Sequence, residues 1–171
     1  RNYSVGDKVK IPQYKGQILA TAASFIVVCG GISSYFVPAK YMSVDINPSV
    51  MMTINIYNRV INTKPLNDDA EILLSKTDVS GMSVSESMDE LIKKSEEIGY
   101  LNEHNKDVIV EVVDGIGKIK LPDKNYGDVE VIIENADKAD LKNAKEMGVS
   151  IAKARAIAEY TKQNGGSIEE N

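Results

Sequence analysis

The sequence predicts an α+β domain lying behind one membrane-crossing helix. Three observations carry that prediction. Residues 16–39 hold no charged side chain. Residues 44–56 alternate apolar and polar with the period of a half-buried strand. Further along, several capped segments show the spacing of amphipathic helices.

Residues 1–15, "RNYSVGDKVKIPQYK", are polar and read as a cytoplasmic juxtamembrane tail. The next stretch, "GQILATAASFIVVCGGISSYFVPA" (16–39), has the length a bilayer demands, about 20 mostly apolar residues. A cleaved signal peptide fits less well, because a polar segment precedes the apolar one. Lys8, Lys10 and Lys15 flank the N-terminal side. Positive charge favours the cytoplasmic side, so the N-terminus is predicted inside and residues 40 onward outside the cell membrane, in a single pass.

From Val44 to Ile56 the even positions are mostly apolar and the odd ones mostly polar, and this parity persists through Asn47-Pro48. Proline cannot donate to a sheet. Two geometries fit: one long strand bulged at the proline, or two strands joined by a tight turn. "YNR" then turns into "VINTKPL", a second hairpin arm. "NDDAEILLSK" reads as a short helix with Asn67 or Asp68 as its cap. Ser83 and Glu86 form a capping box for a longer helix, whose stripe is Val84, Met88, Leu91, Ile92 and Ile98. "DVIVEVVDG" is a strand, "KIKLPDKNYG" a loop or weak strand, and "DVEVIIEN" fits strand or helix. "DKADLKNAKEMG" and "SIAKARAIAEYTKQNGG" are helices, the second capped by Ser150. Residues 40–165 are therefore expected to form an antiparallel sheet with helices packed on one face, and 166–171 the start of a linker.

The net charge of −5 divides into +3 up to Ala39 and −8 beyond it. An acidic body excludes nucleic acid as its partner, since phosphate binding needs clustered Lys and Arg. One cysteine, Cys29, and one histidine, His104, leave no disulfide framework, His-based triad or Cys/His metal site. No metal or cofactor is expected. "DGIGK" lacks the phosphate-loop spacing and reads as a turn.

Asn47-Pro48 is the one dipeptide with chemistry of its own. Ordinary deamidation needs the N–H of the following residue, which Pro48 lacks. The reverse route stays open: the Asn47 side-chain nitrogen attacks its own carbonyl carbon, closes a succinimide and expels the prolyl nitrogen. The reaction is intramolecular, so orientation can supply roughly 7–11 kcal/mol in ideal cases. By strand parity Asp45 and Ser49 share a face with Asn47 and are the local candidates for proton transfer.

"SVDINPS", the "N-x-x-N-R-V" hairpin at 55–60 and "LNDDA" at 66–70 resemble the membrane-proximal part of RsgI-type anti-sigma factors. The resemblance covers about residues 15–165 and is strong from 41 to 74. It implies a transmembrane anti-sigma factor with an SEA-like extracytoplasmic domain. That domain would cleave itself once between Asn47 and Pro48, not as a turning-over enzyme, and its halves would stay associated. Their separation would trigger an intramembrane protease and release of a sigma factor, in response to extracellular polysaccharide. Residues 1–15 are expected to be too few for the sigma-binding domain, and no carbohydrate-binding module appears before Asn171. The rival expectation is an uncleaved, membrane-anchored ectodomain with a structural or interaction role.

Overall fold

A computed structural model of the chain describes residues 15–121 and 126–164, with side-chain surroundings given for 20–121 and 126–163. The predicted juxtamembrane tail and terminal linker lie outside the described residues, apart from Lys15, as does part of the loop after Leu121. The chain divides into two units, one ending at Ser34 and one beginning at Tyr35.

The described part of the first unit is helix α1 (Lys15–Tyr35) up to Ser34. No charge follows Lys15 within it, and Phe25, Ile26, Val27 and Ile32 are 60–73 % exposed. Among the described residues no helix is long and apolar enough to cross a membrane. The helix stops at Tyr35, short of the predicted 39. Pro38 accounts for this: its ring disfavours the helical region for Val37.

The second unit is α+β. Its strands are β1 (Lys40–Asp45), β2 (Ser49–Ile54), β3 (Val60–Pro65), β4 (Asp107–Val113) and β5 (Glu130–Asn135). Its helices are α2 (Asp68–Lys76), α3 (Val84–Glu97), α4 (Lys138–Met147) and α5 (Ile151–Asn164). The sheet order is β3-β2-β1-β4-β5, so β1 is the central strand.

Two expectations are corrected. The sheet is mixed, because β4 and β5 pair in parallel. Parallel neighbours need a crossover of a dozen residues or more, and residues 114–129 supply one, with no helix among the described residues of that range. The ambiguous "DVEVIIEN" is thereby a strand. Second, helices cover both faces of the sheet. Met42, Val44, Ile46, Val50 and Met52 pack with Leu73, Met88 and Leu91 of α2 and α3. Met51 and Val113 pack with Leu141, Ala144, Ile151 and Ala154 of α4 and α5. The odd positions of β1 are polar, which reads as a solvent face. Ser43 is instead covered and satisfied by polar partners: its Oγ donates to buried Glu111 Oε2 at 3.2 Å, and Arg155 reaches Glu111 at 3.3 Å.

The helix ends follow their caps. Asn67 Oδ1 accepts from Ala70 N at 2.9 Å, and Ser83 with Glu86 forms the predicted capping box. "DGIGK" is a turn, closed by Ile119 N donating to Asp114 Oδ1 at 2.9 Å. Only glycine fits at 115, where a Cβ would sit 1.8 Å from the Ala39 carbonyl oxygen.

Candidate functional site

Asn47-Pro48 lies between β1 and β2, at the tip of a hairpin. The register pairs Val44 with Val50 and Asp45 with Ser49, which leaves Ile46, Asn47 and Pro48 as the turn. The structure thus selects two strands and a tight turn over one bulged strand. Asn47 has φ +59°, in the left-handed region where asparagine is among the few tolerated residues. It is exposed, while Ile46 and Pro48 on either side are buried.

The backbone at the tip is held from three sides. Ile46 N donates to the Pro48 carbonyl at 2.8 Å. The Ile46 carbonyl accepts from Asn105 Nδ2 at 3.1 Å. Ser49 N donates to Asn67 Oδ1 at 3.1 Å, and Leu66 N to the Ser49 carbonyl at 2.9 Å. The residues flanking the Asn-Pro bond are therefore tied to the loop before β4 and to the cap of α2.

Asp45 and Ser49, the sequence candidates, sit directly across the hairpin from each other. Burial pushes the Asp45 carboxyl above the ordinary aspartate range, against the lowering pull of Ser49, Ser150 and Lys153. Its Oδ2 is buried and has no hydrogen-bond partner among the described residues. A cleft of about 500 Å³ opens beside the tip, lined by Asp45, Asn47, Ser49, Asn105, Ser150 and Lys153 among others. Ser150 and Lys153 come from the start of α5. Nothing in the sequence points to them, Asn105 or Asn67 for this site, because each reaches it only through the tertiary fold. "NEHNKD" looks like solvated loop, and His104 within it is indeed exposed.

The same parity fixes the neighbourhood deeper in the sheet. Burial raises the Glu111 carboxyl, while Ser43 and Arg155 draw it down and Asp45 pushes it up. Arg155 also bridges to Glu134 at 2.8 Å, linking α5 to both β4 and β5. Among the described residues no cluster of His, Cys, Asp and Glu could hold a metal ion.

The family model described as the anti-sigma factor RsgI-like central domain matches residues 39–159, well over half of the chain. This chain belongs to the RsgI-like anti-sigma factor family. Its similarity to anti-sigma-I factor RsgI7 of Acetivibrio thermocellus is 28 % identity over 159 residues, covering 82 % of this chain and 29 % of the relative. RsgI5 of the same organism is 39 % identical over 70 residues, covering 41 % and 15 % respectively. Anti-sigma-I factor RsgI of Bacillus subtilis is 29 % identical over 116 residues, covering 66 % and 30 %. The chain thus spans about a third or less of these relatives. The RsgI-like match takes in all of the β-sheet and the hairpin carrying Asn47-Pro48.

Proposed function

We propose that this chain is the transmission segment of a transmembrane anti-sigma factor, and that its SEA-like domain cleaves itself once between Asn47 and Pro48. The observation that carries the reading is the placement of Asn47, exposed and in a left-handed conformation, at a hairpin tip whose flanks are pinned. In the step, the Asn47 side-chain nitrogen loses a proton and bonds to the Asn47 carbonyl carbon. The bond from that carbon to the Pro48 nitrogen breaks, and the departing nitrogen takes up a proton. A succinimide is left on the N-terminal piece and a free prolyl amine on the other. Asp45, whose carboxyl burial pushes above the ordinary aspartate range, is the candidate for proton transfer in this step, with Ser49 and Ser150 beside it.

The sheet order supports continued association after scission. The N-terminal piece would keep β1, which pairs with β2 on one side and β4 on the other. Net backbone hydrogen bonds contribute about 1 kcal/mol each. Burial of an aliphatic side chain such as Val44 or Ile46 contributes about 1.5–3 kcal/mol. Such an interface holds at rest and yields to force.

The membrane part of the reading rests on the uncharged stretch 16–39 of the sequence and not on α1, since no described helix is long and apolar enough to cross a membrane. The family supports a regulatory role toward a sigma factor. In this scheme an extracellular polysaccharide supplies the pull through other modules of the protein. Separation of β1 then delivers the helix to an intramembrane protease.

A denaturing gel of the purified chain tests the cleavage. Scission gives pieces of 47 and 124 residues, about 5 and 14 kDa of the 18.7 kDa total. Asn47→Ala should remain one band, and the small wild-type piece should carry a terminal succinimide or its hydrolysis product by mass spectrometry. A wild-type protein that stays intact through long incubation overturns the reading in favour of an uncleaved ectodomain.

A further inference from the structure

We propose that Asn105 is a positioning residue for scission of the Asn47-Pro48 bond, an inference that rests on the self-cleavage reading above. Ile46, Asn47 and Pro48 form the loop between the last paired residues, Asp45 and Ser49. Ile46 N donates to the Pro48 carbonyl at 2.8 Å. Pro48 has no N–H to offer the Ile46 carbonyl in return. The buried Ile46 carbonyl is left needing a donor, and Asn105 Nδ2 supplies it at 3.1 Å from a position 59 residues along the chain.

The orientation of the Asn105 amide is decided by its partners. The same nitrogen also donates to the Tyr100 carbonyl at 2.9 Å. Both partners are pure acceptors, so the amide must turn its NH₂ toward them. The residue itself is braced: Asn105 N donates to the Asn102 carbonyl at 3.1 Å, and Asn102 N donates back at 2.9 Å. The loop, closed by these two bonds, therefore offers a donor to the peptide that leads into Asn47.

The consequence is geometric. With the Ile46-Asn47 peptide pinned by Asn105, and Ser49 N pinned by Asn67 Oδ1, the backbone on both sides of the reacting carbonyl is fixed. The freedom that remains is in the Asn47 side chain, the group that must find the carbonyl carbon. Asn105 takes no part in bond making or breaking. Its effect is on the fraction of time that attack geometry is held, and displacement of about 1 Å at a reacting centre can cost on the order of a hundredfold in rate.

The test follows cleavage of the full-length protein during cell-free synthesis, read on denaturing gels against time. Asn105→Ala and the isosteric Asn105→Asp are compared with wild type and with His104→Ala, an exposed neighbour in the same loop. Thermal midpoints confirm that each is folded at the assay temperature. The expected result is at least tenfold slower cleavage in both Asn105 variants and an unchanged rate in His104→Ala. Asn105→Asp should also regain rate relative to wild type as pH falls through the ordinary aspartate range, because a protonated carboxyl recovers one donor. A lost hydrogen bond that mattered only for folding would not produce that pH-dependent rescue. Wild-type rates in folded Asn105→Ala and Asn105→Asp overturn the inference while leaving self-cleavage standing. An intact wild-type protein overturns both.

Discussion

Asp45 has the most unusual environment of the residues near the hairpin tip. Its carboxyl is largely buried, one oxygen lacks a partner among the described residues, and its charge pushes up the Glu111 carboxyl on the next strand. Burial raises its folded-state pKa above the unfolded value, so the folded protein holds the proton more tightly. The sign then follows from linkage. At pH below the unfolded value both states are protonated and Asp45 contributes nothing. As pH rises through the folded value, ionisation costs the folded state and stability falls. Asp45→Asn should therefore unfold at a higher temperature than wild type at neutral pH, with the difference shrinking toward pH 4. Thermal melts in the Asn47→Ala background keep cleavage out of the comparison. A gap that stays constant or widens on acidification would assign the effect to something other than this carboxyl. From sequence, parity alone put Asp45 and Ser49 on one face, and the register pairs them. Asn105 and Ser150 were illegible, because nothing local tells a loop amide or a helix cap which distant carbonyl or carboxyl it will meet.

At the scale of elements, β1 is fixed at both ends. At the tip Asn105 holds the Ile46 carbonyl. At the entry Lys40 is 2 % exposed, and its Nζ donates to Asn58 Oδ1 at 2.7 Å and to the Lys118 carbonyl at 3.0 Å. Burial pulls that ammonium below the ordinary lysine range, with Asp114 opposing. The turn from Asp114 to Ile119 lies against the same point, where Gly115 backs onto the Ala39 carbonyl. Gly115→Ala would force this turn away from the start of β1. A loss of roughly 1–3 kcal/mol is expected from the overpacking, measured by urea unfolding with Asn47→Ala again as background. Gly99→Ala provides the comparison, since a Cβ there meets open space and only its φ of +86° is penalised. Equal losses at the two positions would show that the close approach to Ala39 is unimportant. The capping signals of α2 and α3 were readable because they are local in sequence. The parallel pairing of β5 was not, because it depends on where a long crossover lands. Helices on both faces were hidden for a similar reason: Ser43 and Glu111 look solvated until Arg155 is brought over them.

On the proposed reading, one chain comes to behave as two. Its central strand belongs to the piece that a cut at Asn47-Pro48 would leave on α1, while every other strand belongs to the remainder. An uncut domain unfolds in a unimolecular reaction, and its midpoint does not depend on protein concentration. A cut domain held together without covalent linkage dissociates as it unfolds, so mass action makes its midpoint rise with concentration. Wild type and Asn47→Ala should therefore part company in a single experiment. Urea midpoints of the cleaved wild type should rise measurably over a hundredfold range of protein concentration, while those of Asn47→Ala stay constant. At low concentration the wild type should be the less stable of the two. Val44→Ala adds a second reading: removing part of a fully buried side chain of β1 should cost about 1 kcal/mol or more in either background. In the cleaved protein that loss appears as weaker retention of the small piece on dilution, and in the uncut protein only as a lower midpoint. If the midpoint of cleaved wild type were independent of concentration, the two pieces would not be separating when the sheet opens. Pulling on the outer piece could then not release α1 by drawing β1 out of the sheet.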